Sequence, residues 1–103
     1  MHNYTQLKIT TEGHVAVFTM DSPPVNALTR TLNDELTHAL DWVSESDDIR
    51  VVVLTGAGKG FCAGQDLSIF DGVPAPEAVR DVVLNYYRPL IESICRLEKP
   101  VIA

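Results

Sequence analysis

The sequence predicts an α/β domain with a mixed, partly parallel sheet. Two short β-rich runs come first, a segment with apolar residues at helical spacing follows, and a nearly continuous β-branched run then covers residues 49–55. Such a run is typical of a strand that is covered on both faces, as in a parallel sheet. The expected order is therefore strand, strand, helix, strand, and 103 residues suffice for one small domain.

The first two strands are predicted to pair as an antiparallel hairpin. Residues 4–10 and 14–20 are rich in strand-forming side chains, and Gly13 between them suits a tight turn. Residues 21–28 follow with the sequence DSPPVNAL, in which two prolines disfavour both a helix and a central strand. We expect this segment to be a rigid extended connection.

A helix is predicted from Thr29, where the apolar period changes to that of a helix. Thr29 or Thr31 can serve as its N-cap, and Asp34 and Glu35 are expected in the first turn, where the helix dipole favours negative charge. The acidic run at 44–48 is expected to be a solvated turn. The apolar positions of this helix are Leu32, Leu36, Ala39, Leu40 and Val43.

A second helix is predicted to begin at Pro76 and Glu77 and to extend to about Leu97. Pro89 lies within it, so a kink or break is expected near residues 87–88. Its predicted apolar face consists of Val79, Val82, Val83, Tyr86, Leu90, Ile94 and Leu97.

Irregular segments and a last strand flank the second helix. Residues 66–70 are expected to form a short turn, and residues 71–77 a flexible loop. The sequence KPVIA at 99–103 is expected to open another buried strand. A strand at this position would leave a sheet edge exposed, which natural domains avoid, so we expect a truncated domain.

Composition argues against several classes of function. The net charge is −6, the pI is about 4.8, and the eight basic residues are scattered, whereas nucleic-acid binding requires clustered cations. No apolar run approaches the roughly 18 residues of a membrane span. The N-terminus lacks the features of a secretory signal, so a cytoplasmic location is expected. Cys62 and Cys95 are too few for a metal cage and are expected to be reduced, buried thiols.

Four glycines lie within nine residues, 56–64, directly after the third strand. A dinucleotide-binding turn is one interpretation, because Gly58, Gly60 and Ala63 satisfy the G-x-G-x-x-A spacing. However, the helix that should open at once is delayed, and an acidic ribose-binding residue after a second strand is missing. A Walker A loop is excluded, because Lys59 is followed by Gly60 rather than by Ser or Thr.

Two further interpretations of these glycines remain. They can simply permit a tight turn between sheet and helix, although four are more than a turn requires. Alternatively, the loop presents free backbone N–H groups, with Gly64 at an unusual φ and Asp66 capping the following turn. The N–H of Gln65 would then point into a cleft, where it suits a developing oxyanion on a carbonyl.

Three segments, in the right order over about 80 residues, resemble the crotonase family, also called the enoyl-CoA hydratase/isomerase family. The family has a Pro-x-x-Asn-Ala-Leu element, matched by Pro23 to Leu28, and after a strand a Phe-x-x-Gly-x-Asp element, matched by Phe61 to Asp66. LEKPVIA at 97–103 is the third segment. The form CAGQDL is similar in particular to ring-1,2-epoxyphenylacetyl-CoA isomerases.

The resemblance implies a crotonase-like spiral of ββα units, with residues 1–103 as the N-terminal part of a single domain. It also implies an acyl-CoA thioester as substrate, no prosthetic group, and a thioester enolate held between two backbone N–H groups, the first from Gln65. Lys59 or Arg30 could approach the CoA phosphates, although a solvated surface cation is the simpler interpretation of each. The residues that would line the substrate are Val25, Ala27, Ala63, Gly64, Asp66 and Leu67.

The resemblance places the other functional elements after residue 103. In the family, the strand that begins with KPVIA leads to a glycine-rich turn with the second oxyanion donor, and the catalytic acids come later. Asp66 and Glu77 are interpreted as a helix cap and a first-turn charge, so no general acid or base is assigned. No nucleophile–base pair can be built from His2, His14 and His38, at a terminus, a hairpin and a helix surface.

Three functions follow from these patterns. The first is enoyl-CoA hydration or isomerisation, for which the isolated chain is expected to be inactive or nearly so. The second is a truncated, non-catalytic module that binds CoA or associates with other subunits. The third, a nicotinamide-dependent oxidoreductase, rests only on the glycine spacing. The family is generally trimeric or hexameric, but its trimerising elements lie towards the C-terminus, so the assembly of this chain stays open.

Overall fold

The computed structural model describes residues 4–23, 26–65 and 75–103. Six strands are present in these ranges: β1 Leu7–Glu12, β2 Val15–Met20, β3 Ala27–Leu28, β4 Val51–Gly56, β5 Gly64–Gln65 and β6 Val101–Ile102. The helices are α1 Arg30–Glu45, α2 Pro76–Val82 and α3 Arg88–Arg96, and a π-helical turn, Val83–Tyr87, joins α2 to α3. The predicted turn at 66–70 and the loop at 71–74 lie outside the described residues.

The main sheet has the strand order β1-β2-β4-β6. β1 and β2 form the predicted antiparallel hairpin, and β4 lies parallel to both β2 and β6, so the mixed sheet is confirmed. β4 was expected to be covered on both faces, which is wrong for the described residues. Val52 is fully buried, whereas Val51 and Val53 on the opposite face are only half-buried.

Helices α1 and α3 pack on the same face of this sheet and enclose the core. In β2, alternate residues Ala16, Phe18 and Met20 are buried, as a strand with one covered face requires. All five apolar positions predicted in α1 are buried as well. A small cavity between the helices and the sheet is lined by Phe18, Leu36, Leu40, Val52, Leu54, Leu90, Ile94 and Val101.

Thr29 is the N-cap of α1, and Thr31 lies inside the helix. The Thr29 backbone is extended, and its Oγ1 accepts the N–H of Leu32 at 3.0 Å. The first turn contains no acidic residue, so the prediction for Asp34 and Glu35 is wrong. The reason is that the helix begins at Arg30, which moves both carboxylates beyond the first turn.

Glu35 has a different role, because it anchors the N-terminal segment on α1. Its Oε2 and Oε1 accept the backbone N–H groups of Thr5 at 3.0 Å and Gln6 at 2.8 Å. Lys99 makes an equivalent contact at the other end of the helix, where its Nζ donates to the carbonyls of Val43 at 2.6 Å and Ser46 at 2.5 Å. A cation at a helix C-terminus is favoured by the dipole and satisfies carbonyls that have no partner in the helix.

The two prolines predicted an extended connection between β2 and α1. The connection is not extended throughout, so this prediction is partly wrong. Asn26 has φ +55°, and its N–H donates to the carbonyl of Ser22 at 2.7 Å, which closes a turn. Asparagine tolerates this left-handed region better than most residues. Residues 27 and 28 then continue as β3.

The second helix begins at Pro76 with Glu77 in its first turn, as predicted. The disturbance expected near residues 87–88 is a π turn rather than a break. The N–H of Arg88 donates to the carbonyl of Val83, five residues earlier, and Pro89 supplies no N–H. The helix then runs on to Arg96.

The predicted apolar face of the second helix is right at Val82 and Leu90 and wrong at Val79 and Val83. Two α-helical turns after the buried Val82, about seven residues on, Pro89 would occupy the buried side of the helix. The extra residue of the π turn puts Leu90 there instead, and Leu90 is buried while Pro89 is exposed. Val79 and Val83, which were assigned to the apolar face, are 42% and 43% exposed.

Two smaller predictions also need correction. Cys62 is half-buried and Cys95 is exposed, although both are free thiols as expected. β6 forms where it was predicted, but Ile102 is 56% exposed because it lies beside Val53 on the face opposite the fully buried Val52. In the described ranges, no helix is long and apolar enough to cross a membrane.

Candidate functional site

The two motif segments lie side by side in the fold. β3 and β5 form a parallel pair in which Ala27 is opposite Gly64 and Leu28 is opposite Gln65. β3 belongs to the Pro-x-x-Asn-Ala-Leu element and β5 to the Phe-x-x-Gly-x-Asp element. Segments that are far apart in the sequence therefore meet directly beyond the end of β4, from which the glycine loop, residues 57–63, continues into β5.

Gly64 and Gly56 are each required by the structure, for different reasons. Gly64 has φ +115°, which confirms the unusual backbone predicted at this position. Gly56 has no unusual φ, but a Cβ there would lie 2.4 Å from the carbonyl oxygens of both Gly60 and Phe61. The loop therefore folds back closely over the last residue of β4, and only glycine leaves enough room for it.

Asn26 joins the Pro-x-x-Asn-Ala-Leu segment to the glycine loop through its side chain. The residue is 3% exposed, and its Nδ2 donates to the carbonyls of Ala57 and Gly60 at 3.0 Å each. Its Oδ1 accepts the N–H of Ser22 at 2.8 Å. Asn26 was not predicted as a functional residue, although an asparagine shortly after two prolines is typical of a turn.

The predicted site residues are partly brought together. Ala27, Gly64 and the backbone of Gln65 lie in the β3–β5 pair, and Ala63 precedes it as an exposed residue. The other three predicted residues, Val25, Asp66 and Leu67, lie outside the described residues.

The two candidate phosphate contacts have different surroundings. The Arg30 guanidinium lies over the ring of Tyr86, 5.1 Å from its centroid, at the start of α1. Lys59 is exposed in the glycine loop. The cation–π contact gives Arg30 a partner within the chain, so its position does not depend on a ligand.

A shifted pKa is found beside the glycine loop, at Tyr87, whereas His14 and His38 lie elsewhere, in the β1–β2 turn and in α1. Partial burial raises the pKa of Tyr87, and electrostatic repulsion from the Cys62 sulfur raises it further, so the phenol stays protonated at neutral pH. His14 Nδ1 contacts the carbonyl oxygen of Asp48 at 2.7 Å, and His38 Nδ1 contacts the hydroxyl of Tyr4 at 2.6 Å. In the described part of the chain, no group of three His, Cys, Asp or Glu residues could hold a metal ion.

Comparison with known proteins decides the family. A family profile described as enoyl-CoA hydratase/isomerase matches residues 10–103. The chain belongs to the enoyl-CoA hydratase/isomerase family. The family named from the sequence motifs is thus confirmed.

Curated relatives of this family member include two with different named activities. The chain is 38% identical over 95 residues to a protein named 1,2-epoxyphenylacetyl-CoA isomerase from Escherichia coli K12, covering 88% of this chain and 36% of that protein. It is 36% identical over 102 residues to a probable enoyl-CoA hydratase from Rhodobacter capsulatus, covering 98% and 38%. The chain therefore spans less than two-fifths of the length of these two relatives.

Solved structures confirm the predicted crotonase-like α/β fold. An enoyl-CoA hydratase from Bacillus anthracis superposes with a TM-score of 0.84 at 34% identity, over 94% of this chain and 38% of that one. Pseudomonas aeruginosa DspI superposes with a TM-score of 0.86 at 26% identity, over 97% and 38%.

Proposed function

We propose that this chain binds an acyl-CoA thioester and that the backbone N–H of Gln65 donates to the thioester oxygen as an enolate develops. The observation that carries the proposal is the β3–β5 pair, which brings both family motifs to one place beside a glycine loop. Val25, Ala27, Ala63, Gly64, Asp66 and Leu67 would line the bound substrate.

The physical role of this N–H is electrostatic. Removing a proton next to a thioester carbonyl, or adding a nucleophile to the conjugated double bond, moves negative charge onto the carbonyl oxygen. A fixed backbone N–H stabilises that charge without reorganising during the reaction, and one such donor contributes about 2.7 to 4 kcal/mol. Gly64 supports this role, because it has no side chain to obstruct the thioester and its φ of +115° is strained for other residues.

The reaction class follows from the family together with this chemistry. Enoyl-CoA hydration and double-bond isomerisation both pass through an enolate-like state, so the proposed donor serves either. The names of the two relatives, a hydratase and an epoxide isomerase, leave the acyl group open. We propose a hydratase or isomerase that acts on an enoyl-CoA or a related acyl-CoA in fatty acid or aromatic acid metabolism and works as a homo-oligomer.

A calorimetric titration tests the proposal. The purified chain is titrated with a non-reactive acyl-CoA and, in parallel, with NADH. Saturable binding of acyl-CoA alone supports the proposal, whereas binding of NADH alone would favour the nicotinamide alternative. Absence of binding to either would contradict a site formed by this chain. The described loop residues 57–63 contain no helix, which already argues against a dinucleotide turn.

A pair of glycine variants tests whether the glycine loop forms part of the acyl-CoA binding site. Gly64→Ala should weaken acyl-CoA binding, because φ +115° is a conformation that alanine adopts only with strain. Gly13→Ala is the matched control, since Gly13 also has positive φ, at +59°, and open space around its α-carbon, but lies in the β1–β2 turn. Equal loss of binding in both variants would mean that general destabilisation, not the loop, causes the effect.

A further inference from the structure

We propose that Asn26 is a positioning residue, whose side-chain amide holds the glycine loop so that the Gln65 N–H lies in the geometry needed by the thioester. This inference rests on the proposed function and names the residue that sets the geometry of its oxyanion donor.

The segment that contains Asn26 contacts the glycine loop near both of its ends. The Asn26 amide bonds to the carbonyls of Ala57 and Gly60, near the start of the loop. The next residue along the chain, Ala27, is the strand partner of Gly64 at the end of the loop. One short segment therefore fixes both ends of the loop that leads to Gln65.

Both the amide nitrogen and the oxygen of this side chain bond to the backbone. Both amide hydrogens go to loop carbonyls, and Oδ1 accepts the N–H of Ser22 at 2.8 Å. The residue is nearly completely buried, so water cannot readily replace these partners. The left-handed backbone at φ +55° directs the side chain back across its own turn, a conformation that asparagine tolerates.

Close packing at Gly56 makes the arrangement sensitive to small changes. A Cβ on Gly56 would lie 2.8 Å from Asn26 Nδ2 as well as 2.4 Å from the carbonyl oxygens of Gly60 and Phe61. The amide, the end of β4 and the loop carbonyls thus form one tightly packed group. Loss of the amide removes the donor that holds the carbonyls of Ala57 and Gly60, so the loop loses its side-chain attachment to the turn at Asn26.

Asn33 provides a matched control within the same chain. It is also a buried asparagine, 4% exposed, and its Nδ2 donates to the carbonyl of Tyr86 at 3.2 Å. That contact joins α1 to the π turn and involves neither the glycine loop nor β3. A variant of Asn33 therefore reports the effect of losing a buried amide that does not hold the loop.

The test compares two ligands that differ only at the carbonyl. One is a non-reactive acyl-CoA thioester, and the other is the matching S-alkyl-CoA thioether, which has no carbonyl oxygen to accept a hydrogen bond. The ratio of the two affinities reports the oxyanion donor, whereas general loss of CoA binding affects both ligands alike. The variants are Asn26→Asp, Asn26→Gly and Asn33→Asp, each checked for folding by circular dichroism and urea denaturation. Asn26→Gly keeps the left-handed backbone accessible if Asn26→Asp fails to fold.

We expect the thioester preference of the wild-type chain to fall about tenfold in both Asn26 variants and to be unchanged in Asn33→Asp. The carbonyl stretching frequency of the bound thioester should return towards its value in water in the Asn26 variants only. Folded Asn26 variants that keep the full preference would overturn the inference while leaving the proposed function intact, as would an equal loss in Asn33→Asp. A wild-type chain without any thioester preference would instead contradict the proposed function, and the inference with it.

Discussion

The scaffold and the loop of this molecule are stabilised by different interactions. β1, β2, β4 and α1 are held by a layer of apolar side chains that includes Phe18, Leu32 and Val52, each almost fully buried. The β3–β5 pair and the glycine loop are held mainly by hydrogen bonds from the Asn26 side chain and by close backbone packing at Gly56. The scaffold thus depends on the sum of many contacts, whereas the loop depends on a few polar atoms, so stability and positioning should respond to different substitutions.

The largest expected effect is in the apolar layer. Phe18→Ala should lower the free energy of unfolding by about 3–5 kcal/mol, because it removes a buried ring and leaves a cavity. Urea denaturation measures this change. Val17→Ala, on the half-buried face of the same strand, is the control and should cost clearly less. Similar losses at both positions would show that the second face of the sheet is covered as well as the first.

Gly56→Ala should cause the next largest loss of stability, and it should also weaken binding at the candidate site. A methyl group at this position meets two backbone carbonyls that cannot rotate away, so a loss of about 1–3 kcal/mol in stability is expected. Acyl-CoA binding, followed by calorimetry, should weaken at the same time. Gly60→Ala is the control, because a Cβ there has open space and its φ is not in the left-handed region. If Gly60→Ala were as damaging, the close packing at Gly56 would not be the cause.

A smaller effect is expected at the start of α1. Thr29→Ala removes the N-cap bond to Leu32 and a hydrogen bond to Gln6 Oε1, which should cost about 1 kcal/mol in the free energy of unfolding. Thr31→Ala changes the other threonine, which is exposed and inside the helix, and should be close to neutral. The comparison of the two denaturation midpoints decides which threonine caps the helix.

The smallest effect concerns an exposed charge cluster on α3. The hydrogen bond from Arg88 lowers the pKa of the Glu92 carboxyl, and the charges of Arg88 and Arg96 act in the same direction. Because this pKa is depressed in the folded state, the contribution to stability is present above the pKa of an unfolded glutamate and is lost as the pH falls through the folded value. An NMR titration should place the Glu92 pKa below its ordinary value, and added salt should raise it. A pKa that does not respond to Arg88→Gln would exclude the ion pair as the cause.

The scaffold could be predicted from the sequence because the spacing of its apolar residues matches the residues that are buried in the structure. The spacing of Leu32, Leu36 and Val43 identified the helix and its buried face, and the β-branched run identified β4. Motifs identified the family, but they could not reveal how the segments are held together. The contact of Asn26 with Gly60 depends on a left-handed turn and on two tertiary neighbours, neither of which has a periodic signal.

The second helix illustrates the same limit in a different way. Its start at Pro76 and the disturbance before Pro89 were predictable, because both follow from the missing proline N–H. The choice of a π turn over a kink was not, because it depends on which residue can pack against the sheet. The buried Leu90 beside the exposed Pro89 shows the outcome of that choice.

The π turn also has a consequence for comparing this chain with others. The π turn contains one residue more than the same length of α-helix. An alignment with a homologue that has a regular α-helix here therefore needs a gap of one position. Deleting that residue would rotate α2 by about 100° relative to α3 and would shorten the helix by only about 1.5 Å. A single insertion or deletion in evolution would therefore exchange the set of side chains that this helix presents, without any substitution in the core.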